Sequence, residues 1–131
     1  MPSEQLDLAR RGIEAHNGGG FAGLADLLHD DVVAVVPDGL PNAGVYRGPE
    51  GFAAMMAQWV EAWEDFRVEI EELIEEGDAV LARVVQHGRG RGSGIETTMP
   101  AVHLMRFRDG RLVLWRLCQD LPEARLHAAD E

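Results

Sequence analysis

The sequence predicts an α+β domain in which helices lead and an antiparallel sheet follows. Three observations carry this. Phe52, Met55, Met56, Trp59, Val60 and Trp63 recur at i, i+3, i+4, i+7, i+8 and i+11, the spacing of one helix face. The second half of the chain instead alternates with a period of two. Within it, Asp109-Gly110 joins two long alternating arms, and this dipeptide favours a tight hairpin turn because both positions tolerate positive φ.

In chain order, residues 4–16 read as a helix. Ser3 suits the N-cap, Glu4 and Asp7 suit the positive end, and Leu6, Ala9 and Ile13 form the apolar stripe. Asn17-Gly18-Gly19-Gly20 breaks it, and a second short helix over 21–28 places Phe21, Leu24 and Leu28 on one side. The pair can act as a lid, with the glycine run as its elbow. Val32 to Pro37 reads as a short buried strand, apolar on both faces. Residues 38–45 read as a loop that ends at Tyr46-Arg47-Gly48-Pro49, with Gly48 as N-cap and Pro49 as the first residue of the helix described above.

Phe66 to Glu75 begins by alternating and slips at Leu73-Ile74, which predicts a bulge. Gly77-Asp78 turns into a strand over 79–87, and the glycine-rich stretch 88–94 reads as a mobile connection. The hairpin follows. Its first arm sets Met99, Ala101, His103, Met105 and Phe107 on one face. Its second arm sets Val113, Trp115, Leu117 and Gln119 on one face, with Leu112, Leu114, Arg116 and Cys118 on the other. Leu121 onward reads as a final turn or a tail. No repeat or linker divides residues 1–131, which read as one domain. Three helices of these lengths fill one side of a bent sheet and leave a cavity where their coverage is incomplete.

Composition narrows the function. The net charge of −11 argues against nucleic acid, whose phosphates would repel such a surface. No apolar run approaches the roughly 20 residues of a membrane span, and the N-terminus lacks the apolar stretch of a signal peptide. The single cysteine, Cys118, excludes an intrachain disulfide, so the expected location is cytoplasmic. All 12 basic residues are arginine, as in chains encoded by GC-rich bacterial genomes.

His103 is the one ionisable group among Met99, Ala101, Met105 and Phe107, and two readings of it stay open. It is either a neutral core histidine bonded to backbone or water, or a general acid/base or hydrogen-bond donor to a ligand carbonyl. Asp120 divides likewise between capping the final turn and turning inward as a base. The tryptophans and the methionines Met55, Met56, Met99 and Met105 can be plain core, but they also suit a cavity that adapts to a flat apolar ligand. Arg83, Arg106 and Arg116 fall on the opposite face, where Glu69 and Glu71 can meet them. That face reads as a solvated ladder or, with Leu81, Val85, Leu104, Leu112 and Leu114, as a dimer interface. His16, His29, His87 and His127 lack metal-ligand spacing, so no metal and no cofactor is expected.

The ordered segments HDDVVAVVP, YRGPEGF with WVEAW, FRVEIEELIEEGD, GRGRGSG and FRDGRLVLWR together resemble the SnoaL-like branch of the nuclear transport factor 2-like superfamily over essentially the whole chain. The resemblance implies a cone-shaped domain. A curved antiparallel sheet would carry about three N-terminal helices on its concave face, above an apolar pocket, and would form a homodimer through its outer face. It also implies a small apolar or aromatic ligand, with activity of the polyketide cyclase or ketosteroid isomerase kind. Matched to the isomerases, His103 takes the place of their acidic hydrogen-bond donor. Their general-base aspartate falls on Val36 and their oxyanion tyrosine near Gly12, which argues against that mechanism. The candidate catalytic residues are therefore His103 and Asp120. The candidate ligand-binding residues are Tyr46, Met55, Trp59, Val84, Gln86, Met99, Met105, Trp115 and Gln119. A non-catalytic binding or dimerisation module is the alternative.

Overall fold

A computed structural model describes residues 3–40 and 42–129. Helix α1 spans Glu4–Leu24, and the Ser3 side chain accepts the Leu6 N–H at 3.0 Å, closing its first turn. The glycine run divides it into two helical arms that meet at a kink, as the sequence predicts. Only Gly20 leaves helical geometry, at φ 60° and ψ −142°, a conformation that a side chain disfavours. Asn17 fixes the bend from below, because its amide donates to the Val68 carbonyl and accepts the Val68 N–H.

A single 3-10 turn, Ala25–Leu27, leads into β1, Leu28–Val36. This strand is longer than the apolar run suggested and takes in His29-Asp30-Asp31. Gly44–Arg47 forms β2, an edge strand where a loop was expected. So short a segment shows no period of its own, and it is strand only because β1 supplies its ladder, with Val35 opposite Val45. Helix α2, Gly48–Ala62, buries Phe52, Met55 and Met56, as the spacing predicts. It stops one residue short of Trp63, which turns extended and opens β3, Trp63–Glu76.

β4 (Ala79–Gly90), β5 (Glu96–Arg108) and β6 (Arg111–Cys118) complete the sheet. The first glycines of 88–94 are strand residues, not a loose connection. Asp109 and Gly110, at φ 56° and 76°, form the predicted hairpin turn. The six-stranded sheet has the order β2-β1-β6-β5-β4-β3. It is curved, open and mixed, since β1 runs parallel to β6 while the other neighbours are antiparallel. The α+β class and the curved sheet with helices over one face are therefore present.

Bulges re-aim side chains. In β3 the register shifts between Ile70 and Glu72, just before the expected slip, and again between Glu64 and Arg67, where Asp65 has φ 54°. In β6 Val113 is skipped between the pairs Phe107–Leu112 and Arg106–Leu114. Leu112 thereby faces inward with Trp115 and Leu117, a correction to the outward position that strict alternation gave it.

The main core lies between the sheet and α1 and α2, and includes Ile13, Leu24, Val32, Phe52, Met55, Val68, Val84, Met105 and Trp115. Residues 121 onward are not a tail. Leu121–Ala129 forms α3, which packs on the other sheet face against Ala79, Leu81, Val102, Leu104 and Cys118 through Ala124. Leu81 and Leu104 are thus covered from within the chain. Outside this cover, Arg83 pairs with Glu71 and Glu72, each at 3.1 Å, whereas Glu69 meets His87 at 2.9 Å.

Candidate ligand-binding site

Helices α1 and α2 do not fill the space above β3 to β6. A cavity of about 680 Å³ remains, within the range of roughly 300–1,000 Å³ typical of small-molecule sites. Its lining includes Phe21, Phe52, Trp59, Trp63, Phe66 and Trp115, together with Met55, Met56 and Met105. Toward one side, Trp59 stacks on Phe66 at 5.5 Å between ring centroids, and His16 meets the Phe66 ring edge-on at 6.0 Å. At the other, Trp115 meets Phe52 at 6.3 Å and His103 at 4.9 Å, both edge-on.

His103 projects from β5 into this apolar wall and is 3% exposed. Its Nε2 lies 2.9 Å from Oε1 of Gln86, which is 4% exposed and rises from β4. A carboxamide oxygen only accepts, so this contact is a hydrogen bond when the ring hydrogen is on Nε2. Burial, with a smaller contribution from His16, pushes the His103 pKa down to about 3, and the ring is neutral at neutral pH. The His16 pKa is lowered too, again chiefly by burial.

The expected residues divide in two. Met55, Trp59, Gln86, His103, Met105 and Trp115 converge on the cavity. Tyr46, Val84, Met99, Gln119 and Asp120 do not line it. The Tyr46 hydroxyl donates to the Asn42 carbonyl at 2.6 Å and accepts from Gln58 at 3.2 Å, which holds it beside β2. Val84 is wholly buried within the core. Met99 faces Gln86 across the ladder but is only half-buried. Gln119 and Asp120 lie past the end of β6, where alternation no longer aims a side chain. Both are exposed and serve α3: the Gln119 N–H donates to Glu123, and Asp120 Oδ1 accepts the Glu123 N–H at 3.0 Å. Val36, where an isomerase base would fall, is buried core, and Gly12 lines the cavity without a side chain.

Sequence reasoning missed His16, Phe66, Asp65 and Arg91. His16 had a signal: it continues the Ala9–Ile13 stripe at helical spacing and so faces the sheet. Asp65 and Arg91 had none, because a bulge and a hairpin tip place them. Asp65 pairs with Arg89 at 3.3 Å, and Arg91 donates through Nε to the Val60 carbonyl at 2.7 Å. Cys118 is no nucleophile here. Burial pushes its thiol up to about 12, with Glu123 adding to the effect.

Among the described residues no helix is long and apolar enough to cross a membrane. Among the described residues no cluster of three His, Cys, Asp or Glu side chains could hold a metal ion.

A curved open sheet with helices over one face, enclosing an aromatic cavity around a buried histidine, defines a small α+β domain of the nuclear transport factor 2-like type. The SnoaL-like domain profile matches residues 9–115, and the chain belongs to that family. It is 33% identical over 120 residues to aklanonic acid methyl ester cyclase DnrD of Streptomyces peucetius, covering 84% of this chain and 80% of the cyclase. A nuclear transport factor 2-like protein of unknown function from Burkholderia pseudomallei superposes with a TM-score of 0.81 at 24% identity, covering 91% and 92% of the two chains. One from Burkholderia thailandensis gives 0.79 at 18% identity, with both chains covered in full.

Proposed function

We propose that this chain binds a flat, largely apolar, carbonyl-bearing molecule between α1, α2 and the sheet, and that it acts as a cofactor-independent enzyme of the polyketide cyclase kind. One observation carries the reading: the buried His103–Gln86 pair sits in the wall of a cavity of about 680 Å³ otherwise lined by aromatic and thioether side chains. The relationship to aklanonic acid methyl ester cyclases, at 33% identity for DnrD, supplies the reaction class. The cavity would hold a polycyclic ligand by ring contacts, with His103 as its deep polar contact.

A second reading, a binding module without turnover, is favoured by a specific absence. Asp65 is the only acidic lining residue among those described, and it is already paired with Arg89. Self-association through the outer sheet face belongs to either reading. Val33, Val35, Val45 and Leu114 lie together there, outside the cover of α3.

The test is to incubate the purified chain with aklanonic acid methyl ester. Intramolecular ring closure conserves mass, so turnover appears as a new chromatographic peak of unchanged mass. Quenching of tryptophan fluorescence reports binding independently. Binding without a new peak selects the second reading, and neither signal overturns the cavity assignment.

A further inference from the structure

We propose that Gln86 fixes the tautomer of His103, so that the buried end of the cavity selects aromatic ligands carrying an enol or phenol O–H beside a carbonyl. This rests on the cavity reading above and names its ligand class.

A neutral imidazole has one N–H. With Nε2 2.9 Å from the Gln86 carboxamide oxygen, that hydrogen is committed to Gln86, and Nδ1 keeps a bare lone pair. The rest of the Gln86 amide is an NH₂ group, which only donates. Neither Nδ1 of His103 nor Nε2 of Gln86 makes another hydrogen bond among the described residues. Yet neither is sealed from solvent, because Arg116 Nε is the one buried side-chain nitrogen or oxygen there that lacks a partner. Both side chains line the cavity and are otherwise enclosed, so these two atoms open onto it.

The wall therefore presents one acceptor and one donor on neighbouring strands, framed by Trp115, Met105 and Leu112. A simple ketone only accepts, so it pairs the amide and leaves Nδ1 of His103 without a donor. A desolvated polar atom left unpaired in this way is costly in an apolar site. A simple phenol must reach both atoms with its one oxygen, whereas a hydroxy ketone or an enolised diketone, its O–H turned from its own carbonyl toward Nδ1, offers a separate donor and acceptor. Burial keeps the ring neutral, which preserves the acceptor. The role is the reverse of the hydrogen-bond donor that the sequence suggested for His103.

Two measurements test this. Nitrogen-15 NMR of histidine-labelled protein reads the tautomer without any ligand. The Nε2–H form is expected in the wild type and in Gln86→Glu, which keeps an acceptor oxygen, but not as the fixed form in Gln86→Leu. An Nδ1–H form in the wild type overturns the role of Gln86, as does an unchanged tautomer in Gln86→Leu. If Gln86→Leu does not fold, the wild type and Gln86→Glu decide.

Fluorescence titration then compares 1-hydroxy-2-acetonaphthone with its O-methyl ether. The hydroxy ketone should bind about tenfold more tightly, and Gln86→Leu or His103→Leu should narrow the gap. Equal affinities overturn the ligand class. Binding of neither compound overturns the ligand class and the cavity reading together, while the NMR result still decides on Gln86.

Discussion

Asn17 and Val68 are joined by a reciprocal pair of hydrogen bonds: the side-chain amide donates to the Val68 carbonyl at 2.8 Å and its oxygen accepts the Val68 N–H at 2.9 Å. This asparagine acts as a strand partner for β3, which lies at the edge of the sheet. It also ties the end of the first arm of α1 to the sheet, just before the bend. Asn17→Ala would leave the Val68 groups without these partners beside an apolar cavity. The expected loss is about 1–3 kcal/mol in urea unfolding, more than a surface substitution produces. A variant as stable as the wild type would mean that water replaces both bonds.

Burial of His103 makes stability depend on pH. Its folded pKa is about 3, below the ordinary value of 6.5, so between these values the unfolded chain holds the extra proton. Its contribution is fully present above the unfolded pKa and is lost as pH falls toward the folded one. The slope approaches roughly 1.4 kcal/mol per pH unit inside that window. His16, shifted in the same direction, adds to it. Unfolding free energies measured at about pH 7 and about pH 5 should therefore differ less in His103→Leu than in the wild type. Identical differences would show that His103 is not the group responsible.

Local pattern and tertiary context divided the labour here in a consistent way. The α2 stripe and the Asp109-Gly110 turn were legible, because helical spacing and turn chemistry are written in adjacent residues. So was the part of the cavity lining that sits on regular elements: Met55 and Trp59 on the helix, Gln86, His103, Met105 and Trp115 on strands. What failed lay where a neighbour decides. Trp63 fits the helical stripe, yet it becomes a strand residue opposite Gly90, and its indole packs on the backbone of Gly88, where an added Cβ would sit 3.1 Å from the ring. Leu112 was misplaced by one bulge, since a single skipped residue reverses the faces before it. Asp120, for which capping and an inward turn both stood open, caps α3, because β6 ends two residues earlier.

Gly20 should be intolerant of substitution for a reason unrelated to space. Nothing lies within 4 Å of the position a Cβ would occupy, but the backbone has φ 60° with ψ −142°. A Cβ disfavours that conformation by about 1–3 kcal/mol. Gly20→Ala should lower stability by this order and, by straightening α1, shift Phe21 and Leu24 away from the cavity they line. The check is paired: thermal unfolding for stability, and tryptophan quenching by the hydroxy ketone for cavity shape. A loss of stability with unchanged binding would separate the bend from the site.

Asp120 offers the sharpest separation of a structural acid from a catalytic one. Its Oδ1 accepts the Glu123 N–H and its carbonyl accepts the Ala124 N–H at 3.1 Å, so the residue closes the first turn of α3. That helix in turn covers Leu81, Val102 and Leu104. Removing the side chain should cost about 1 kcal/mol, the usual worth of an N-cap. Asp120→Asn keeps an accepting oxygen and should recover most of that stability, whereas Asp120→Ala should not. Ligand affinity, and any ring closure of aklanonic acid methyl ester, should be unchanged in both variants, because the side chain is exposed and does not line the cavity. A base would give the opposite pattern. Asp120→Asn would then fold like the wild type and lose turnover, and that result would move the chemistry from the His103 wall to the end of β6.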